Sequence, residues 1–348
     1  MEDSEVCALL EKARNKRPLM QQKDAVKLLY QRAFGPGHLV HDREKALAFL
    51  KSEWEQTESG ETFLYEPIGN GLCRLNLAPA KALGAQANSV CGLFLRCGGH
   101  VFSPPEDWPE CLSAVEVLRF PNDDEDFSLA KYRANGCPSL HHSATYRNAY
   151  RPAYRVVWER EARYLPLFAA LDLALSEKRS KPLFLAIDGM AASGKSTLGA
   201  LIHDLYGGVL LHMDDFFLPP ELKTPERLAQ PGGNVDRERF GKELLFPLLR
   251  GETGTLRRYD CQKGERSSPT VVAPAPLIVV EGAYCLHPEL RDAFDLRVFC
   301  SITPEEQRTR ILKRNGVVLW KRFEAQWIPM ENAYFEAFEI EKLCQFHF

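Results

Sequence analysis

Nowhere in the 348 residues does an apolar run approach the length of a membrane span, so neither a bilayer-crossing helix nor a membrane partner is expected. The opening residues, Met1-Glu2-Asp3-Ser4-Glu5, are acidic and polar. They lack the basic start and apolar stretch of a secretory signal and the acid-poor character of a transit peptide, which makes a cytoplasmic location the expectation. The ten cysteines include no C-x-x-C pair, the spacing of zinc ribbons and dithiol redox sites. Several, Cys285 and Cys300 among them, sit in apolar runs, where a thiol behaves as a small hydrophobe, in keeping with a reducing compartment. Net charge is nearly absent too: 44 Lys and Arg against 47 Asp and Glu leave −3. With no long basic stripe either, the electrostatic pull toward nucleic acid is missing, and a polynucleotide partner or substrate is disfavoured. No internal repeat or low-complexity tract breaks the chain. What is left is an ordinary globular composition, 45% hydrophobic and 26% charged, over a length that suggests two domains. Self-association is compatible with it.

One stretch stands out against this background. Gly189-Met190-Ala191-Ala192-Ser193-Gly194-Lys195-Ser196 matches G-x-x-x-x-G-K-[ST], the phosphate-binding loop. Pro182 to Asp188 reads as a buried strand on its left, and Thr197 to Ile202 as the start of a helix on its right. The motif requires that strand–loop–helix context. Its glycines let successive N–H groups turn inward toward phosphate oxygens, and the helix adds its positive end. Gly189, Ala191, Ala192, Ser193, Gly194, Lys195, Ser196 and Thr197 are therefore the expected nucleotide contacts. Lys195 reaches the outer phosphates and Ser196 offers a ligand to Mg²⁺. The expected cofactors are ATP and Mg²⁺.

About 180 residues precede this loop, although a domain of this type normally begins at the strand that carries it. A separate N-terminal module over 1–155 is therefore expected, mainly α or α+β, joined by a helical link over 156–181 to the loop domain at 182–348. Residues 158–178 read as helical, with apolar positions at Leu165, Phe168, Ala169, Leu171, Leu173 and Leu175. Beyond 182, apolar runs at Val209–Met213, Pro276–Val280 and Leu296–Cys300 alternate with helical patterns, and Leu343–Phe348 reads as a short last strand. This is an α/β pattern, a parallel sheet with helices on both faces. In such sheets ligands bind beyond the carboxyl ends of the strands. The loop, the pair Asp214-Asp215 and Glu281 all fall there.

Phosphoryl transfer needs phosphates held, a metal placed and an acceptor hydroxyl oriented and relieved of its proton. Asp214, Asp215 and Glu281 are carboxylates available for the last two tasks; a turn with a helix cap, and a solvated strand end, are the structural alternatives. Arg308, Arg310 and Arg314 lie on an expected helix from Pro304 to Arg314, with Arg310 and Arg314 on one face. With Lys321 and Arg322 farther on, they suit a lid closing over phosphates. A solvated face paired with Glu305 and Glu306 is the alternative.

At this point residues 182–348 resemble the uridine kinase/phosphoribulokinase branch of P-loop kinases. The marks are Gly189 to Thr197, Met213-Asp214-Asp215-Phe216-Phe217, Gly233-Asn234-Val235-Asp236, Arg258-Tyr259-Asp260, Glu281-Gly282 and the Arg308 to Arg314 helix, in matching order and spacing. The resemblance implies that Asp214 is the general base for the acceptor hydroxyl, that Asp236 binds sugar hydroxyls and that Tyr259, with Asp260, contacts substrate. It implies that Glu281 organises Mg²⁺ or its waters, with Asp215 beside it, and that Arg310 and Arg314 are lid arginines stabilising transferred charge. There is one departure. The family's uridine kinases carry a His shortly after the Tyr-Asp element, in contact with the pyrimidine, and Gly264 stands about there. A glycine cannot hydrogen-bond a base edge, so the expected acceptor is a small hydroxylated metabolite, a nucleoside, sugar, sugar phosphate or acid, rather than uridine itself. Lys263 and Arg266 suit an anionic acceptor or simply loop solubility. The segment from Trp327 to Phe335 departs from the usual lid and is expected to form acceptor-side walls. From a different class, the loop can instead bind ATP as a sensor acting through the N-terminal module.

That module says less. Residues 21–55 read as helical, broken at Gly35-Pro36-Gly37, and Gly69-Asn70-Gly71 marks a tight turn. Ser139 to Tyr154 interleaves His141, His142, Tyr146, Arg147, Tyr150, Arg151 and Tyr154, a composition suited to an anion, a nucleotide or a partner domain, or to a polar linker. His38 and His41 are three apart and can share a face as metal ligands, though no Cys or carboxylate at matching spacing supports them.

Overall fold

The run Leu183–Gly189 has no polar alternation, and all seven of its residues are buried, as a strand covered on both faces requires. It is the central strand of a five-stranded sheet ordered Phe346–His347, Leu296–Cys300, Leu183–Gly189, Leu277–Glu281, Val209–His212. Every pairing is parallel. After the loop, helix Lys195–Tyr206 carries the chain to Val209–His212, and Leu277–Glu281 later fills the place between. The register brings Glu281 beside Ile187 on one side and His212 on the other, and Gly189 beside Cys300. The strand ends are thus level, and whatever follows each strand meets at one edge.

The computed structural model describes residues 2–40, 42–57, 61–102, 108–122, 127–260 and 263–348. The chain divides into two compact units, Met1–Leu173 and Ala174–Phe348. The second is the α/β P-loop fold. Its core joins Phe184, Ala186, Ile278 and Val280 of the sheet to Phe216, Phe240, Leu244 and Leu248. Two small antiparallel pairs lie outside the sheet, Gly254–Leu256 with Thr270–Val272 and Tyr259–Asp260 with Glu265–Arg266. Helix Pro304–Arg322 continues past its expected end at Arg314 but is kinked at Gly316, whose backbone leaves helical geometry at φ 76°, ψ 174°.

The first unit is α+β. Three antiparallel strands, Tyr65–Gly69, Leu72–Asn76 and Tyr154–Trp158, are paired in that order. The hairpin between the first two turns on Asn70 (φ 53°) and Gly71 (φ 70°), the left-handed pair that a tight hairpin selects. Helix Gln22–Phe34 buries Ala25, Val26, Leu28, Leu29 and Ala33 against Ile68, Leu72, Leu112 and Val115. It ends where expected, at Gly35, whose φ of +56° suits glycine. Residues 154–158 read differently from the expected link: they form the third strand, with Arg155, Val156 and Val157 buried. β-branched residues opposite Arg74 and Cys73 favour the ladder over a helix. The helix proper runs Leu165–Ser176, and the boundary between units falls within it.

Gly189 is a sharp test of how the sheet fixes the loop. Its φ is +136°, and a Cβ there would lie 2.1 Å from the Cys300 carbonyl oxygen. Gly189→Ala is expected to destabilise the protein by roughly 2–4 kcal/mol in urea denaturation followed by circular dichroism. Gly84→Ala, at φ +98° with open space around it, should cost only the backbone strain, about 1 kcal/mol. Equal losses in the two variants would refute the steric reading.

Candidate active site

The loop leaves its strand through a buried carboxylate. Asp188 accepts hydrogen bonds from the Gly189 amide (2.7 Å), the Tyr284 amide (3.3 Å), the Leu286 amide (3.0 Å) and the Tyr334 hydroxyl (2.8 Å). Burial raises its pKa, opposed by those donors and by Lys195. The donors lie at the start of the loop, in the turn after Glu281 and on helix Ile328–Ala337. Tyr284 takes φ 78° in that turn, a left-handed conformation unusual for tyrosine.

From Gly189 the backbone curls through Ala192 (φ 59°) and Gly194 (φ 105°) into helix Lys195–Tyr206. The first amides of that helix have no partner within it and are available to an anion. Lys195 Nζ donates to the loop's own carbonyls, Gly189 O at 2.7 Å and Met190 O at 2.8 Å. Three distant side chains grip the loop from outside. Gln307 donates to Ala191 O (2.9 Å), Arg310 to Ala192 O (3.0 Å), and Glu331 accepts from the Ala191 amide (2.8 Å). Arg310 also pairs with Glu306. Arg314 donates to Asn315 at 2.7 Å.

Ser196 Oγ donates to Glu281 Oε2 at 3.0 Å, and His212 Nδ1 meets Glu281 Oε1 at 2.5 Å. That hydrogen bond raises the His212 pKa, burial opposing it, so the imidazole favours the protonated form beside the carboxylate. Asp214 and Asp215 lie on the single turn Met213–Phe216 that follows the edge strand. Asp214 is reachable by solvent but lines the floor of a cleft, where surrounding protein displaces bulk water. Desolvation raises its pKa; Lys195 opposes this and Glu281 adds to it. Asp215 is raised likewise, with Arg258 opposing from 3.3 Å.

Much of this arrangement borders one cleft of about 800 Å³. Of the expected site residues, Ala191, Ala192, Gly194, Lys195, Ser196, Thr197, Asp214, Glu281, Arg310 and Arg314 line it together. Gly189, Ser193, Asp215, Asp236, Tyr259 and Arg266 are not among its lining residues. Asp236 caps helix Arg237–Phe240 by accepting from the Arg239 amide (3.3 Å), and its carboxylate is held by Arg239 Nε (3.0 Å) with Arg266 at 3.6 Å. Tyr259 is buried and pairs in the ladder with Arg266. Gly264 takes φ +69° in the hairpin turn and donates to Asp260 O at 2.8 Å. Cys261 and Gln262 beside it lie outside the described residues.

The cleft also holds groups the sequence did not mark. Asn234 lines it with a buried Oδ1 that has no hydrogen-bond partner among the described residues. Lys223 lines it, and among the described residues no carboxylate pairs with it. Glu331, Trp327 and Met330 form part of its wall. A charged residue inside an apolar strand is the signal that could have found Asp188; the signal for Asn234 was its place in Gly233-Asn234-Val235-Asp236. Among the described residues no three His, Cys, Asp or Glu converge as a metal cage. His38 lies on the turn Gly37–Leu39, and His41 is outside the described residues. No helix among the described residues is long and apolar enough to cross a membrane.

No protein-family model matches the chain. Among known proteins, it is 30% identical over 174 residues to a uridine kinase of Geobacillus kaustophilus, a match spanning 45% of this chain and 81% of that one. A uridine kinase of Bacillus pumilus is 29% identical over 173 residues, spanning 45% and 82%. A solved structure described as a possible uridine kinase from Bacillus stearothermophilus is 24% identical, covers 51% of this chain and 95% of its own, and superposes with a TM-score of 0.39.

Burial raises the Glu331 pKa from 4.5 to about 7, with Lys195 and the Ala191 amide opposing. The folded state therefore holds this proton more tightly than the unfolded chain, and stability falls as pH rises between those two values. Glu331→Gln retains an acceptor for the Ala191 amide and is expected to flatten that dependence. Urea midpoints measured across the interval check it; an unchanged slope would mean that Glu331 is already ionised in the folded protein.

Proposed function

Because the chain belongs, through its C-terminal half, to the uridine kinase family of P-loop kinases, we propose that this unit transfers the γ-phosphoryl group of ATP to a hydroxyl of a small metabolite. The observation that carries the reading is the convergence of Lys195, Ser196, Glu281 and Asp214 on one cleft at the carboxyl edge of the sheet. The loop amides and the helix N-terminus hold the phosphates. Lys195 exchanges its loop carbonyls for phosphate oxygens.

Ser196, Glu281 and the nearby Asp215 are hard oxygen donors of the kind Mg²⁺ accepts. When bound, the ion neutralises charge on the transferring group. The 2.5 Å contact from His212 orients Glu281 for that task.

Asp214 orients the acceptor hydroxyl and takes its proton. Its raised pKa makes the carboxylate a better base than a solvated aspartate. Asn234 Oδ1, buried and without a partner among the described residues, accepts from an acceptor hydroxyl. Asp236, with Tyr259 and Arg266, supports the acceptor side. Arg310 and Arg314 stabilise charge on the transferring group.

Gly264 in place of a base-reading histidine keeps the acceptor class broader than uridine. Lys263 lies 3.9 Å from Asp260 and Arg266 3.6 Å from Asp236, so Lys223, which lines the cleft, is the better candidate to recognise an acidic or phosphorylated acceptor.

ADP release from Mg-ATP, measured across nucleosides, sugars, sugar phosphates and hydroxy acids, tests the reading. One acceptor class should stimulate turnover. Lys195→Ala and Asp214→Asn should each lower its kcat/KM by on the order of 10² or more. ATP binding without stimulation by any acceptor, together with wild-type behaviour of Asp214→Asn, would overturn Asp214 as base and favour a nucleotide sensor.

A further inference from the structure

One acid on the cleft wall, Glu331, is neither base nor metal ligand in the phosphoryl transfer. It lies on helix Ile328–Ala337 and is buried. Its Oε2 accepts from the Ala191 amide at 2.8 Å. The carbonyl of the same Ala191 accepts from Gln307 at 2.9 Å, and the next carbonyl, that of Ala192, accepts from Arg310 at 3.0 Å. Ala191 is thus held by both its N–H and its C=O, from two different helices. Beside it Ala192 keeps a left-handed φ of 59°, a conformation that persists in a residue with a Cβ only where its surroundings impose it.

The other oxygen of Glu331, Oε1, makes no hydrogen bond among the described residues. No Lys, Arg or His forms an ion pair with the carboxyl among them either. The side chain lines the cleft together with Lys195 and Asp214, so the open oxygen belongs to the wall that a ligand meets.

The groups that face Glu331 come from every element around it. Burial raises its pKa to about 7; Lys195, on the helix after the loop, and the Ala191 amide oppose this, while Asp188 on the central strand and Asp214 on the turn after the edge strand add to it. Tyr284, in the turn after Glu281, keeps its proton because burial raises its pKa. Arg310, on helix Pro304–Arg322, is engaged by Glu306 and the Ala192 carbonyl. Lys223, Arg314 and Arg322 line the same cleft.

An ionised carboxylate on this wall repels a polyphosphate entering the cleft. A neutral carboxyl does the reverse. Its carbonyl oxygen still accepts from the Ala191 amide, so the grip on the loop is kept, and its O–H gives the open oxygen a donor. The incoming phosphates also neutralise Lys195, the cation that favours the ionised form.

We propose, on the basis of the kinase reading of this cleft, that Glu331 is a binding residue for the polyphosphate and acts as a neutral acid, one oxygen holding the Ala191 peptide while the O–H at the other donates to a phosphate oxygen. Nucleotide binding is then coupled to a proton. Below about pH 7 the carboxyl is protonated before the ligand arrives, and Glu331 takes up nothing. Above it, binding draws a proton from solvent onto Glu331, and affinity falls as pH rises, by up to about tenfold per pH unit.

Calorimetric titration of the full chain with the magnesium complex of the β,γ-imido analogue of ATP tests this. Wild type, Glu331→Gln and Gln307→Ala are each measured at about pH 6 and about pH 8, in two buffers of different ionisation enthalpy. The difference between wild type and Glu331→Gln cancels protons taken up by the nucleotide or by other groups. Glu331→Gln keeps an acceptor for the Ala191 amide and a donor for the cleft at every pH. It should match wild type at the lower pH and bind roughly tenfold more tightly than wild type at the higher one, where only wild type shows the extra proton. Gln307→Ala, which loosens the other end of the same peptide, should weaken binding at both pH values and retain the proton uptake. Equal proton uptake in wild type and Glu331→Gln, or no gain in affinity for Glu331→Gln at the higher pH, would overturn the proposal and leave the kinase reading in place. Failure of the analogue to bind wild type at either pH would overturn both.

Discussion

The C-terminal unit is organised around the hydrogen bonding of one carboxylate. Asp188 sits in an otherwise apolar strand with no exposure to solvent. A charge so placed is tolerable only when donors surround it. The donors come from the loop, the turn after Glu281 and Tyr334. Each bond to such a charge contributes on the order of 1.5–3 kcal/mol, and removing any one exposes the desolvation cost of the rest. The requirement therefore acts as a positional constraint. The loop after the strand, the turn that carries Glu281 onward and the helix that bears Glu331 keep their relative places because each satisfies the same two oxygens.

The parts of this unit that could be read in advance are those determined locally. A phosphate loop depends on glycines and a lysine within eight residues, and buried parallel strands announce themselves as uninterrupted apolar runs. The carboxylates at strand ends followed from the same reading. What escaped depends on the path of the chain. Gln307 and Glu331 grip Ala191 from 116 and 140 residues away, and no local pattern encodes such a pairing. Asp236 illustrates a different difficulty. An aspartate three residues before an arginine serves equally as a ligand for hydroxyls or as a helix cap and ion pair, and here its oxygens engage Arg239.

In the N-terminal unit, composition indicated where polar chemistry gathers but not how. The His- and Tyr-rich stretch before residue 155 was visible, while its organising partner, Asp24, lies 118 residues from His142. The strand Tyr154–Trp158 was harder still. Only five residues long, it adjoins a strongly apolar helix whose periodicity reaches back over it. Short strands acquire their identity from the neighbour they pair with, in this case Leu72–Asn76.

The ammonium of Lys195, bound to two carbonyls of its own loop, has a bearing on what the cleft will admit. Ligand capture at this lysine is a substitution, in which a newcomer must outbid contacts already made. A single weakly charged oxygen gains little from such an exchange, because it only replaces carbonyl acceptors that already satisfied the ammonium. A chain of linked phosphates gains more, since it occupies the freed lysine and the helix amides together. The resting loop thereby sets a threshold that filters solutes by the number and spacing of their anionic oxygens, before any part of the site has read the rest of the molecule.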